Sequence, residues 1–164
     1  MNSTVKHNLD RIYWGCFSWY SVGLLIPLDS TTTGASHVDI LQRFVLLTLK
    51  NFQGRKDCCL FFQQDNARPH TTKIAMQFIS EEGIRTMDWP PQSSDLNPIE
   101  NLWAKVKKSV LRKPKPSNLS QLDILVKQAW YNIPPEYCRK LITSMLDRVT
   151  DCIRVRGNLR NTRI

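Results

Sequence analysis

Apolar positions along this chain change their spacing from segment to segment, and each spacing predicts an element. Residues 11–20 (Arg-Ile-Tyr-Trp-Gly-Cys-Phe-Ser-Trp-Tyr) are aromatic and β-prone. After Ser21-Val22-Gly23 comes a second apolar run, Leu24-Leu25-Ile26-Pro27-Leu28. Together they predict an antiparallel hairpin, with Pro27 at an edge or a strand end because it has no N–H to give a ladder. Val38, Leu41, Val45 and Leu49, with Phe44 beside them, recur at helical spacing. Ser36 followed by Asp39 resembles a capping box, and a helix over roughly 37–50 follows. Residues 51–57 read as a loop.

Cys58-Cys59-Leu60-Phe61-Phe62 is short and continuously apolar, the pattern of a strand buried on both faces. Thr71 or Thr72 caps the next helix, to which Ile74, Ala75, Phe78 and Ile79 give one apolar face. Gly83 stops it, and Ile84-Arg85-Thr86-Met87 reads as a short strand, the αβ order of an α/β fold. Trp89-Pro90-Pro91-Gln92-Ser93-Ser94-Asp95 continues neither strand nor helix. Asn97 then caps a helix with Pro98 in its first position and Ile99, Leu102, Trp103, Val106 and Val110 as the buried stripe. Lys113-Pro114-Lys115-Pro116-Ser117-Asn118 is a stiff basic connector. Two helices follow, near 120–132 and 135–152, the periodicity placing Trp130, Leu141 and Leu146 on apolar faces. The connector divides the chain into 1–113 and a helical extension of the same domain, 114–164.

Composition narrows the partner. Lys plus Arg is 23 against 14 for Asp plus Glu, a net charge of +9, which favours a polyanion such as nucleic acid. No run of about 18 uncharged apolar residues exists, so no membrane span is expected, and the first residues lack the apolar core of a signal peptide. The five cysteines are odd in number and form no C-x-x-C pair, which argues against zinc; Cys58 and Cys59 read as buried thiols of a reducing compartment.

Two acids stand out. Asp65 follows the buried run 58–62, where open α/β sheets place ligands, and Glu100 opens the amphipathic stretch after Pro98. Two carboxylates brought together from a strand end and a helix start hold divalent metal for phosphodiester chemistry. Each also has an ordinary explanation: Asp-Asn is a good turn former, and a Glu three residues after Asn97 completes a capping box. His70 could meet phosphate or a metal-bound water, although a single His near a helix start is commonly a loop or cap residue. Lys105, Lys107, Lys108 and Arg112 could meet a DNA backbone or simply form a solvated face. Trp89, Trp103 and Trp130 read as core.

Taken together, Tyr13-Trp14-Gly15-Cys16-Phe17-Ser18-Trp19-Tyr20, Phe62-Gln63-Gln64-Asp65-Asn66-Ala67-Arg68-Pro69-His70 and the run Trp89 to Trp103 resemble the catalytic domain of Tc/mariner-superfamily transposases. The likeness is greatest to the branch whose last two acids are separated by 34 residues, as residues 66–99 separate Asp65 from Glu100. The resemblance covers about residues 12–157. It implies an α/β, RNase H-like mixed sheet flanked by helices with a C-terminal helical extension. It also implies a three-carboxylate site for two Mg²⁺ or Mn²⁺ ions, with Asp65 as second acid and Glu100 as third, and double-stranded DNA as partner. Homodimerisation and a nuclear location fit the same expectation.

One departure matters. Asp10 is the sole acid before Trp14, and nothing around it resembles the family's first-acid motif; Asp29 and Asp39 fall in segments that match non-catalytic parts. The expectation is therefore a core without its first strand and first carboxylate, a transposase fragment inactive by itself. The alternative is a non-enzymatic, transposon-derived remnant that binds DNA or protein.

Overall fold

The computed structural model describes residues 10–28, 32–52, 61–87 and 96–158. The expected hairpin is present. Strand β1, Ile12–Phe17, pairs antiparallel with β2, Val22–Leu28, in the register Ile12↔Leu28, Trp14↔Ile26 and Gly15↔Leu25. Pro27 pairs with Tyr13 next to the hairpin's open end, where the ladder tolerates its missing donor. The register slips between Gly15 and Phe17, a bulge at Cys16.

Six helices follow among the described residues: α1 Gly34–Ile40, α2 Leu46–Phe52, α3 Lys73–Glu81, α4 Ile99–Leu111, α5 Leu119–Tyr131 and α6 Pro135–Asn158. A π-helical turn, Leu41–Val45, joins α1 to α2. Side chains alternate across β1, so each face of the hairpin serves a different core. Tyr13 and Phe17 pack with Leu25, Leu102, Val106, Val126, Trp130, Ile133, Cys138 and Leu141. Trp14 packs on Leu41, Val45 and Ile79, with Phe62, Phe78 and Ile84.

The first core draws on helices from both sides of the 112–118 connector. Trp103 of α4 stacks on Trp130 of α5 with ring centroids 4.8 Å apart. Both rings close over Gly15, where a Cβ would meet each indole at 3.0 Å. Polar bonds fix α5 to the hairpin: Trp130 Nε1 donates to Gly23 O at 2.9 Å, and Tyr131 Oη accepts from Leu25 N–H at 3.3 Å. Tyr13 Oη donates to Asp123 Oδ1 at 2.7 Å, with Arg11 Nε 3.5 Å from the same oxygen. Burial, and then the Asp123 carboxylate, push the Tyr13 phenol well above its ordinary range.

Several boundaries differ from the sequence reading. The capping box of α1 is built by Thr33, whose side chain accepts from Ser36 N–H while Ser36 bonds back to Thr33 N–H. The helix thus starts three residues before the predicted 37, because Ser36 serves as the returning N3 partner and not as the cap. It continues through Phe52, so the predicted loop begins later, and residues 53–57 lie outside the described residues. Thr72 caps α3, and Gly83 with φ +62° ends it, both as expected. The expected strand 84–87 contracts to one parallel bridge, Phe62↔Thr86, made by Phe62 N–H to Arg85 O at 2.7 Å and Met87 N–H to Phe62 O at 3.3 Å. Residues 58–60 of its partner run, and 88–95 with Trp89, lie outside the described residues.

Helix α4 begins at Ile99 with Pro98 as cap, one residue later than predicted; Asn97 Oδ1 still accepts from Ile99 N–H, at 3.4 Å. Helix α6 extends to Asn158, beyond the predicted 152.

Candidate active site

Asp65 lies three residues past the bridge at Phe62, in an irregular loop that leads to the Thr72 cap of α3. Its side chain is 55% exposed. Oδ1 accepts from Ala67 N–H at 3.1 Å, the turn bond that an Asp-Asn pair favours. The same oxygen stands 2.6 Å from His70 Nδ1, which also lies 3.2 Å from the backbone oxygen of Asp65. Both neighbours of that nitrogen are acceptors, so Nδ1 carries the hydrogen.

Behind His70 stands His37 of α1, 1% exposed. The two imidazoles face each other with centroids 4.1 Å apart and planes tilted by 36°. His37 Nε2 is 3.1 Å from Gln64 Oε1, while its Nδ1 is buried with no hydrogen-bond partner. Burial, and then the nearby His70, lower the His37 pKa from 6.5 to about 4, so the ring is neutral at physiological pH. The start of α1 is held against the same loop, since Gly34 leaves room for Thr72.

Glu100 is exposed in the first turn of α4, where the helix dipole favours an anion. Its neighbour Asn101, with its amide turned so that Oδ1 accepts, receives the Arg148 guanidinium of α6 at 2.9 and 3.3 Å. Lys105, Lys107 and Lys108 along α4, and Arg112 at its C-cap, are all exposed. Lys105 differs from the others in having its ammonium 4.4 Å above the Tyr137 ring centre. Trp103 and Trp130 are core, as expected.

Asp10 is exposed, and Asp39 is paired on the surface with Arg43 at 3.3 Å; Asp29 lies outside the described residues. Among the described residues no three of His, Cys, Asp or Glu converge to hold a metal ion. Asp65 and Glu100 are each a hard-oxygen donor open to solvent, the kind of ligand that Mg²⁺ takes one or two of beside water and substrate phosphate. The sequence reading missed His37. One His at helical spacing carries no sign of a partner, and His70 stands 33 positions further along.

A family model described as DDE superfamily endonuclease matches residues 28–123, a span that holds both Asp65 and Glu100. The chain is 34% identical over 155 residues to the Tcb2 transposase of Caenorhabditis briggsae, covering 94% of this chain and 55% of that protein. It is 32% identical over 146 residues to the Tc3 transposase of Caenorhabditis elegans, covering 88% and 44%. The chain thus spans about half the length of the curated relatives it matches. Among solved structures it superposes on the catalytic domain of Mos1 transposase with Raltegravir and Mn at TM-score 0.74, with 15% identity over 89% of this chain and 80% of that one. It superposes on a Mos1 paired-end complex with the left transposon end at TM-score 0.77, with 14% identity over 94% and 46%. At such identities the likeness establishes the fold, and that fold is the RNase H-like arrangement expected from the sequence.

Proposed function

Since the chain belongs to the DDE superfamily of endonucleases, in the Tc/mariner transposase branch, we propose that it is the metal-dependent DNA-cleaving and strand-transferring part of such a transposase. Asp65 and Glu100 are the acids that hold Mg²⁺ or Mn²⁺, and double-stranded DNA is the substrate. The observation that carries this reading is the position of the two acids: Asp65 follows the parallel bridge at Phe62, and Glu100 opens α4, both inside the matched span. The bound ions would supply a polarised phosphate and an activated oxygen nucleophile. The protein's own share is to present two hard carboxylates, and to attract the DNA backbone with Lys107, Lys108 and Arg112. Lys105 adds to this field from its place over Tyr137. The Mn in one solved relative of the fold and the transposon-end DNA in another support the choice of ion and partner. A nuclear location and a homodimer belong to the same reading.

Taken by itself, this polypeptide brings two acids to chemistry that the family resemblance assigns to three. The 164-residue chain alone is therefore expected not to nick or join DNA. The test is supercoiled plasmid incubated with the chain and Mg²⁺ or Mn²⁺. A metal-dependent nick abolished by Asp65→Ala and by Glu100→Ala would overturn the inactivity and retain the two acids; a nick indifferent to both would overturn the site.

A second reading is favoured by the lack of a three-donor cluster among the described residues: a transposon-derived remnant that binds DNA or protein without catalysis. Mn²⁺ binding by the wild-type chain that disappears in Asp65→Ala would decide for the first reading.

A further inference from the structure

The pair of histidines beside Asp65 has a role that neither its helix nor its loop requires. More than half of the Asp65 side chain is open to solvent, and an exposed carboxylate samples several rotamers. A cation or phosphate that needs one rotamer must then freeze it, at an entropic cost that a second group can remove beforehand. Oδ1 is anchored twice, by Ala67 N–H and by His70 Nδ1. For His70, the backbone bond from its N–H to Ala67 O, at 2.9 Å, does not by itself set the direction of the ring. Its ring, however, lies against His37, which is buried on α1 and fixed through Gln64, the residue next to Asp65.

A residue that merely caps a turn needs no aromatic platform behind it, and a buried imidazole with an orphaned Nδ1 is a costly way to fill space. From this geometry we infer that His70 is a positioning residue that holds the Asp65 carboxylate in one orientation, and that His37 is the platform that holds His70. The inference rests on the reading of Asp65 as a cation-holding acid, and it assigns the two rings fixed, opposite tautomers. His70 is hydrogenated at Nδ1, because Asp65 Oδ1 and O both face that atom. His37 is hydrogenated at Nε2, because Gln64 Oε1 faces it.

Long-range ¹H–¹⁵N correlation on the ¹⁵N-labelled full chain reads both tautomers directly. The expected result is Nδ1–H at His70 and Nε2–H at His37. In Asp65→Ala the backbone oxygen at position 65 still faces Nδ1, so the expected change at His70 is a shift of its Nδ1 resonance as the shorter bond is lost, while His37 stays as it was. An Nε2–H tautomer at His70 in the wild-type chain, or a His70 Nδ1 resonance indifferent to Asp65→Ala, overturns the inference.

The consequence for the site is read by Mn²⁺ binding, followed through the electron paramagnetic resonance of the free ion. His70→Phe keeps a ring against His37 but removes the donor, and is expected to weaken Mn²⁺ by about 10- to 100-fold. His70→Asn restores a donor near Asp65 and is expected to recover most of that loss. Unaltered Mn²⁺ affinity in His70→Phe overturns the positioning role. A wild-type chain that shows the expected tautomers yet takes up no Mn²⁺ supports the hold on the carboxylate, and it is the metal reading of Asp65 that then fails.

Discussion

Gly34 stands so close to Thr72 that a Cβ built on it would lie 2.5 Å from Thr72 Oγ1 and 2.8 Å from Cγ2. That hydroxyl accepts from Ala75 N–H to cap α3 and donates to Pro69 O, so it closes the loop that carries Asp65 and His70. Gly34→Ala gains a better helix former but forces the cap aside. A net loss of about 1–3 kcal/mol in urea unfolding is expected from overpacking. Gly34→Ala combined with Thr72→Ala is expected to cost less than the sum of the two changes, because the second removes the atoms that the first would strike.

Gly15 offers a comparable test in the other core. Trp130 is fully buried and pinned through Nε1, and Trp103 is stacked on it, so neither indole can retreat from a new methyl group at 3.0 Å. Gly15→Ala is expected to destabilise the chain by about 1–3 kcal/mol and to change the near-ultraviolet circular dichroism of the stacked pair.

Acid should weaken the fold through His37. Between pH 6.5 and about 4 the unfolded chain binds a proton at this residue and the folded chain does not. Stability is therefore complete above pH 6.5 and falls as the pH drops toward 4, by at most about 3 kcal/mol from this group. The groups facing it are His70, Gln64 and Asp65. Unfolding free energies measured across that window should fall less steeply for His37→Phe, which cannot titrate, than for the wild-type chain.

Alkali should act through Tyr13. Its raised phenol keeps its proton in the folded chain at pH values where the unfolded chain has lost it, so stability is present below pH 10.0 and declines as the pH rises above it. Tyr13→Phe is expected to cost about 1–2 kcal/mol at neutral pH, by taking a donor from Asp123, and to flatten the alkaline decline. Urea titrations at neutral and alkaline pH compare the two proteins.

If α4 meets DNA, the salt dependence of binding should separate its lysines. Lys107→Gln and Lys108→Gln are each expected to reduce the slope of log affinity against log salt by about 0.9. Lys105→Gln is expected to reduce it less, since the Tyr137 ring already shares that ammonium. Fluorescence anisotropy on an arbitrary duplex from about 50 to 200 mM salt measures the slopes.

What could be read in advance divides along local and distant causes. The hairpin, the Thr72 cap, the Gly83 stop and the stripe Leu102–Val106 are each set by residues within a few positions of one another, and the chain shows them directly. The start of α1 was displaced because Ser36 and Thr33 satisfy each other reciprocally, and either could be taken as the cap. The strand expected at 84–87 contracts because pairing depends on a distant segment, and only Phe62 meets it. Asp65 could be found from its place after an apolar run, and His70 stood out as a residue whose role remained open. The support behind them could not, because His37 and Gln64 meet across 27 positions, and His37 and His70 across a similar distance.

The π-helical turn Leu41–Val45 sets the angular phase of the helix that bears His37. His37, Leu41 and Val45 are buried there, with Ile40 beside them and the partly buried Leu49 one step further, whereas in an uninterrupted α-helix of 3.6 residues per turn a row at every fourth position spirals away. The wider turn absorbs part of that mismatch and keeps these side chains toward the core. Removing one residue from that turn would rotate one end against the other by about 100°. Either Leu49 would leave the cluster of Leu41, Val45 and Ile79, or the imidazole would swing off its neighbour. A lesion of this kind would loosen the acid's grip from the far side of the helix, without altering any atom that the acid touches.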